Sequence, residues 1–214
     1  MGGSLSPSER DEANARWRRR YAADAATYDR SADRWERRLF GTGHREWIAG
    51  RARGRTLEVA IGTGLNIPLY GPEVRLTGLE LTPEMLAIAR RRAADLGRRV
   101  AFCEGDAHAL PFGDGTFDTV VSTYAMCSVP DLPLTIAEMR RVLVPGGRLL
   151  LLDHVRSTVA PVFWLQRLAE RRPNRESDEL TRRPLNDVVA AGFTLEESGR
   201  FRAGVVERLC AVKP

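Results

Sequence analysis

Apolar positions along this chain keep two rhythms. Beyond about residue 55, short apolar runs alternate with longer stretches in which apolar residues return at every third or fourth position. The runs at 56–62 (TLEVAIG), 75–81 (RLTGLEL), 100–106 (VAFCEGD), 116–124 (TFDTVVSTY) and 147–155 (GRLLLLDHV) read as strands. The last is continuously apolar, as strands buried on both faces of a parallel sheet are. Residues 83–97 and 132–143 read as helices. Thr82 stands where an N-cap belongs, Pro83 at the first helical position and Gly97 just past the end. Pro145-Gly146-Gly147 is expected to stop the second helix. Strands alternating with helices at this spacing predict an α/β fold with a doubly wound parallel sheet. The end of the chain breaks the alternation. After a helix at 185–193, FTLEESGRF and VVERLCAVK follow with no helix between them, which predicts an antiparallel hairpin at the sheet edge.

The first fifty residues follow another pattern. Residues 1–10 are small and polar and are expected to be disordered, and 11–50 to form a helical cap. A helical pattern runs from Glu9 to about Arg38, with Tyr21 and Tyr28 seven apart on one face. A short helix through Trp47 and Ile48 follows the break at 41–43. Residues 51–214 form the main domain, with an insertion at about 157–183.

Composition narrows the class. Hydrophobic content of 43% and charged content of 29% are those of an ordinary globular protein, and no apolar run reaches the length of a membrane span. The opening MGGSL lacks a signal-peptide pattern, so a soluble, cytoplasmic protein is expected. Net charge is +5 and the basic residues are nearly all arginine, clustered at 16–20, 90–92 and 171–175. Acids are interleaved among them and no nucleic-acid motif accompanies them, so solvated helix faces are expected and a nucleic-acid partner is not. Cys103, Cys127 and Cys210 are scattered, without CxxC or a Cys/His cluster, so neither a disulfide framework nor a metal site is expected.

Three strand ends carry candidate chemistry. EVAIGTG ends a strand in two glycines one residue apart, the form of a tight turn that lets a ligand approach the main chain. The third glycine of a dinucleotide GxGxxG fingerprint is absent. Glu80 ends the next strand, where an acid can accept hydrogen bonds from both hydroxyls of a ribose. Asp106, followed by Ala107, ends the third, where a carboxylate can take the amino group of an adenine.

EVAIGTG, LELTPEML, EGDAHALPF, FDTVVSTYAMCSV and EMRRVLVPGGRLLLLDHV stand in this order. Together they resemble the class I S-adenosylmethionine-dependent methyltransferases. The likeness is to the methyltransferase-11 branch, which contains the ubiquinone/menaquinone C-methyltransferases, and it covers about residues 20–214. It implies a Rossmann-like sheet of seven strands, the last antiparallel between the fifth and sixth. It also implies S-adenosylmethionine as cofactor. The methionine portion would lie on Gly62 and Gly64, with Glu58 below and Ala60 where the family usually has glycine. Glu80 would hold the ribose and Met85 would pack on the adenine, whose edge Asp106 and Ala107 would meet. Asn66, Leu81 and Gly105 flank these positions. Thr123 and Tyr124 would face the methionine end or the acceptor. Tyr28-Asp29 matches a YD element with which this branch covers the cofactor, and Tyr21 shares its face.

His154 is the candidate general base, beside Asp153, though successive strand residues point to opposite faces unless the strand has ended. Phe163 and Trp164 lie on an apolar stripe with Val162, Leu165 and Leu168 in the insertion. A lid over the acceptor, with Cys127 on the acceptor side, is one reading. Interfacial contact with a membrane and plain packing are others. MCSVPD, LDHVRS and LTRRPL are also similar to mammalian thiol methyltransferases and to bacterial phospholipid N-methyltransferases. The expected acceptor is a small apolar molecule: a thiol or other natural-product nucleophile first, then a quinone-type carbon, then a phosphatidylethanolamine amine. A non-catalytic sensor of the cofactor is the rival class. Monomer and homodimer both stay open.

Overall fold

The computed structural model describes residues 5–171 and 179–214. The chain begins with α1 (Pro7–Asp24), a 3-10 turn at Ala25–Thr27, α2 (Tyr28–Trp35), a π-helical turn at Glu36–Phe40 and α3 (His44–Ala49). The alternating part is β1 (Arg55–Val59), β2 (Arg75–Glu80), α4 (Pro83–Asp95), β3 (Val100–Glu104), β4 (Phe117–Thr123), α5 (Leu132–Val142) and β5 (Leu143–His154). Then come α6 (Ala160–Glu170), α7 (Pro184–Ala190), β6 (Thr194–Phe201) and β7 (Val206–Val212).

The seven strands of the described residues form one sheet, in the order β3-β2-β1-β4-β5-β7-β6. β1 pairs in parallel with both β2 and β4, so the chain reverses its direction of travel across the sheet between them. β7 runs antiparallel to both β5 and β6. The period of two in the strands fills two cores, one on each face. Leu149 and Leu151 of β5, with Val120 of β4, pack against Ile136 and Met139 of α5. Leu150, Leu152 and Val121 pack on the other face with Ile48, Leu86 and Ala89. The continuous apolar reading of β5 is thus two alternating faces, both covered.

Four local expectations are corrected. The helix begins at Pro7, inside the stretch expected to be disordered. Ser6 and Glu9 explain this by a capping box: the Glu9 N–H donates to Ser6 Oγ (3.3 Å) and the Ser6 N–H to Glu9 Oε2 (2.8 Å). The single helix expected from Glu9 to Arg38 is divided at Ala25–Thr27. Thr82 precedes α4, but its side chain makes no capping bond. Pro145-Gly146-Gly147 lies inside β5 rather than ending a helix, and the register against β4 shifts between Phe117 and Thr119 to accommodate it. Among the described residues no helix is long and apolar enough to cross a membrane.

Candidate active site

A cavity of about 730 Å³, partly open to solvent, lies outside the carboxyl ends of β1, β2, β3 and β4. This is the switch point of the sheet, where open α/β folds place their ligands.

The floor is the turn after β1. Ala60 and Gly62 line the cavity, both with left-handed backbone (φ 57° and 58°). A Cβ built on Gly62 would meet nothing within 4 Å, so the glycine leaves the main chain open to the cavity. Gly64 has a different reason to be glycine. A Cβ there would come within 2.5 Å of Ile67 Cδ1, and Gly64 faces the core rather than the cavity. Ala60 carries the strain of a left-handed L-residue.

Glu80 is buried at the end of β2, yet lines the cavity. Its Oε2 accepts from the Gly62 N–H (3.0 Å) and its Oε1 from the Thr82 N–H (2.9 Å). These bonds fix the carboxylate, while burial raises its pKa. At the end of β3, Asp106 Oδ2 accepts from Asn14 Nδ2 (2.8 Å), and Oδ1 accepts from the His108 N–H (2.9 Å) and faces His108 Nδ1 (2.6 Å). His108 Nε2 accepts from the Asp131 N–H (3.1 Å), so the Nδ1–H must be the donor to Asp106. His108 is thereby a neutral positioning group for Asp106. Although burial opposes ionisation of Asp106, these bonds hold its pKa below the ordinary value. Leu81, Met85, Gly105 and Ala107 also line the cavity.

Glu58 lies beneath the floor and does not line the cavity. Its oxygens accept from Asn66 Nδ2 (2.7 Å) and Tyr70 OH (2.9 Å), and burial pushes its pKa up to about 7. Arg45 joins this cluster, donating to Asn66 Oδ1 (3.0 Å) and Thr123 Oγ1 (3.2 Å) and pairing with Glu36 (2.8 Å). Glu58 and Asn66 therefore support the site from below, through Thr123, which does line the cavity.

Tyr124 follows β4 with φ 53°, an unusual conformation for a bulky residue. Its ring stacks on Phe40 (5.3 Å between centroids), with the Arg45 guanidinium 5.3 Å above it. Its hydroxyl is buried without a partner among the described residues. A buried hydroxyl lacking a partner is costly, and this one belongs to a cavity-lining side chain.

The roof comes from the N-terminal helices. Trp17 stacks on Tyr21 (5.7 Å), and Tyr21 meets Tyr28 edge-on (6.2 Å). The Tyr21 hydroxyl shares a hydrogen bond with Ser128 Oγ (3.1 Å), and Arg18 donates to the Leu81 carbonyl (2.9 Å). Asp29 accepts from Thr63 Oγ1 (2.6 Å) and pairs with Arg92. The roof is thus tied to both rims and to the glycine turn. Burial pushes the Tyr28 phenol up to about 12, so it stays protonated near neutrality and can donate a hydrogen bond but not act as a base.

The other candidates lie elsewhere. Asp153 is buried behind the cavity, its oxygens taken by the N–H groups of Met126 (2.6 Å) and His154 (2.8 Å). His154 stacks on Phe40 (5.8 Å) and, like Asp153 and Cys127, is not part of the cavity lining. The lid expectation is corrected for α6. None of its residues is buried, Trp164 is 63% exposed, and Phe163 sits under the Arg156 guanidinium (4.4 Å) rather than in the cavity. The rest of the expected insertion at 172–178, with two arginines of the third cluster, lies outside the described residues. Sequence reasoning missed Asn14, Trp17, Arg45 and Ser128, which reach the site through tertiary contact, and gave His108 little weight.

Residues 57–151 match the family described as "Methyltransferase domain". The chain is 37% identical over 123 residues to the phosphatidylethanolamine N-methyltransferase of Cereibacter sphaeroides, covering 56% of this chain and 61% of that one. It is 40% identical over 123 residues to the demethylmenaquinone methyltransferase of Thermus thermophilus, covering 56% and 54%. A Bacillus halodurans structure assigned provisionally as a methyltransferase superimposes with a TM-score of 0.67 at 27% identity, covering 75% of this chain and 73% of that one. The chain thus spans only 54–61% of the length of these two curated relatives. Residues 57–151 are thus similar to a methyltransferase domain, and the sheet around them shares its fold with the Bacillus halodurans structure. The proteins this chain is similar to also include a ubiquinone/menaquinone biosynthesis C-methyltransferase of Paracoccus denitrificans, 37% identical over 134 residues, covering 60% of this chain and 53% of that one.

Proposed function

We propose that this protein transfers a methyl group from S-adenosylmethionine to a small, largely apolar acceptor. The observation that carries the reading is the Glu80 carboxylate. It is buried at the cavity edge, fixed by two backbone N–H groups, and lines a cavity that Asp106 also lines. A carboxylate has more acceptor sites than those two bonds use, which leaves room for the paired hydroxyls of a ribose. Asp106 fits an adenine amino group, and Met85 an adenine face. The open main chain at Gly62 and the support from Glu58 through Asn66 and Thr123 fit the methionine portion.

When bound, S-adenosylmethionine supplies an electrophilic methyl on a sulfonium and departs as the neutral thioether. The tyrosine roof excludes water and offers aromatic faces to the cationic sulfur. In this reading the Tyr124 hydroxyl, buried without a partner among the described residues, is the donor to a bound acceptor or to the methionine carboxylate. Most of the catalysis then comes from alignment and desolvation.

No side chain free to act as a base is found among the cavity-lining residues described. His108 is committed to Asp106 and Asp131, Tyr28 stays protonated, and His154 stands behind the lining. The acceptor must therefore bring its own nucleophile, which favours a thiol ionised near neutrality. A second reading, methylation of a quinone-type carbon or a lipid amine, draws on the two curated relatives. The test is mass spectrometry of thiols, quinols and ethanolamine lipids incubated with the protein and S-adenosylmethionine. A gain of one methyl on thiols alone supports the first reading, and on quinols or lipids the second. Tight cofactor binding without product on any acceptor would overturn catalysis in favour of a cofactor sensor.

A further inference from the structure

Cys127, Asp153 and His154 converge outside the cavity lining, and the methyl-transfer reading gives them no task. Cys127 comes from the turn after β4, and Asp153 and His154 are consecutive at the end of β5. An extended strand would send those two to opposite faces. Here the strand ends, and one donor atom from each of the three residues lies within 4.8 Å of the others. All three are withdrawn from water, at 4%, 2% and 8% exposure. Grouping a thiol, a carboxylate and an imidazole in the interior is costly unless each finds a partner. The Cys127 thiol bonds to Asp153. Asp153 accepts the Met126 and His154 N–H groups, one on each oxygen. His154 Nδ1 is buried with no partner among the described residues.

We propose that Cys127 Sγ, an Asp153 oxygen and the His154 imidazole form a binding site for a zinc-class divalent cation. The donor set mixes thiolate, carboxylate and imidazole, the ligands this cation takes. Tetrahedral donors at zinc distances stand roughly 3.5 Å apart, so the three must close by no more than about 1.5 Å. Each Asp153 oxygen keeps a second lone pair beside its backbone bond. Those backbone bonds orient the carboxylate, and the Phe40 ring stacked on His154 holds the imidazole, as outer groups do around metal ligands. Three protein ligands leave one position for water or a small ligand. On binding, the Cys127 S–H bond breaks, its proton leaves to solvent and the thiolate takes the metal, with no change of oxidation state. The inference does not rest on the methyl-transfer reading, and its test reads metal rather than methyl.

The full chain is stripped with chelator and titrated with cobalt(II), then with zinc(II) as competitor. A thiolate-to-cobalt charge-transfer band saturating at one cobalt per chain and displaced by zinc is expected. The band should vanish in Cys127→Ser and survive in Cys103→Ser and Cys210→Ser. His154→Gln should weaken the metal by more than about tenfold. Absence of the band, or a band that disappears with Cys103 or Cys210 instead, overturns the proposal. Should Cys127→Ser fail to fold, the wild-type chain decides: saturating zinc must raise its melting temperature and release a proton, and no rise rejects the site.

Discussion

Replacing Glu80 by alanine removes the carboxylate that fits the ribose. In the free protein the Gly62 and Thr82 N–H groups lose their acceptor, and the buried Thr82 donor makes this cost about 1–3 kcal/mol of stability. In the complex, hydrogen bonds from the ribose hydroxyls to a charged acceptor disappear. Net values for such bonds put the loss at about 1.5–3 kcal/mol. That is a weakening of roughly 10- to 150-fold. Glutamine does not rescue the site, because its NH2 would face one of two backbone donors now 2.9–3.0 Å from the carboxylate oxygens. Calorimetry with S-adenosylhomocysteine on wild-type, Glu80→Ala and Glu80→Gln proteins measures the effect, with circular dichroism to establish folding. Affinity within about threefold of wild type in a folded Glu80→Ala protein would refute the ribose assignment.

Other predictions follow from the same geometry. Ala60→Gly relieves a left-handed residue worth about 1–2 kcal/mol, offset by roughly 0.5–1 kcal/mol of glycine chain entropy, so a modest rise in the urea midpoint is expected. A fall would mean that Ala60 is not strained. Glu58 has a folded pKa raised to about 7 by burial, from an ordinary value near 4.5, so the folded state holds its proton more tightly than the unfolded chain. Its contribution is therefore greatest below pH 4.5 and is lost as pH rises toward 7, by on the order of 3 kcal/mol. Glu58→Gln should flatten that part of the stability profile between pH 5 and 8, and an unchanged slope counts against a raised pKa. Asn14→Ala with Arg18→Ala loosens the roof and should speed cofactor release in stopped flow, and an unaltered off-rate would mean the roof does not gate the cavity.

How far the sequence could be read depended on how local each signal is. The strands were legible because short apolar runs such as TFDTVVSTY and GRLLLLDHV, set between turn residues, are what strands covered on both faces require. Glu80 and Asp106 were legible because polar residues at the ends of apolar strands need a reason. Asn14 carried no signal, since its partner Asp106 is 92 residues away. Arg45 looked like one more surface arginine, yet it is nearly enclosed between Glu36, Asn66 and Thr123. The convergence of Asp153 and His154 was hidden by strand periodicity, which fails at a strand's last residues. Trp164 misled for the opposite reason, because an apolar stripe implies a covered face and the described residues leave it open.

The bonds that tie α1 to both rims have a kinetic consequence. In the proposed reading, a cofactor beneath the tyrosines would leave past contacts made by Asn14, Arg18 and Tyr21, so detachment of α1 would be a step that slows its exchange. Changes in those contacts would reset how long each cofactor stays without touching a residue that meets the methyl group.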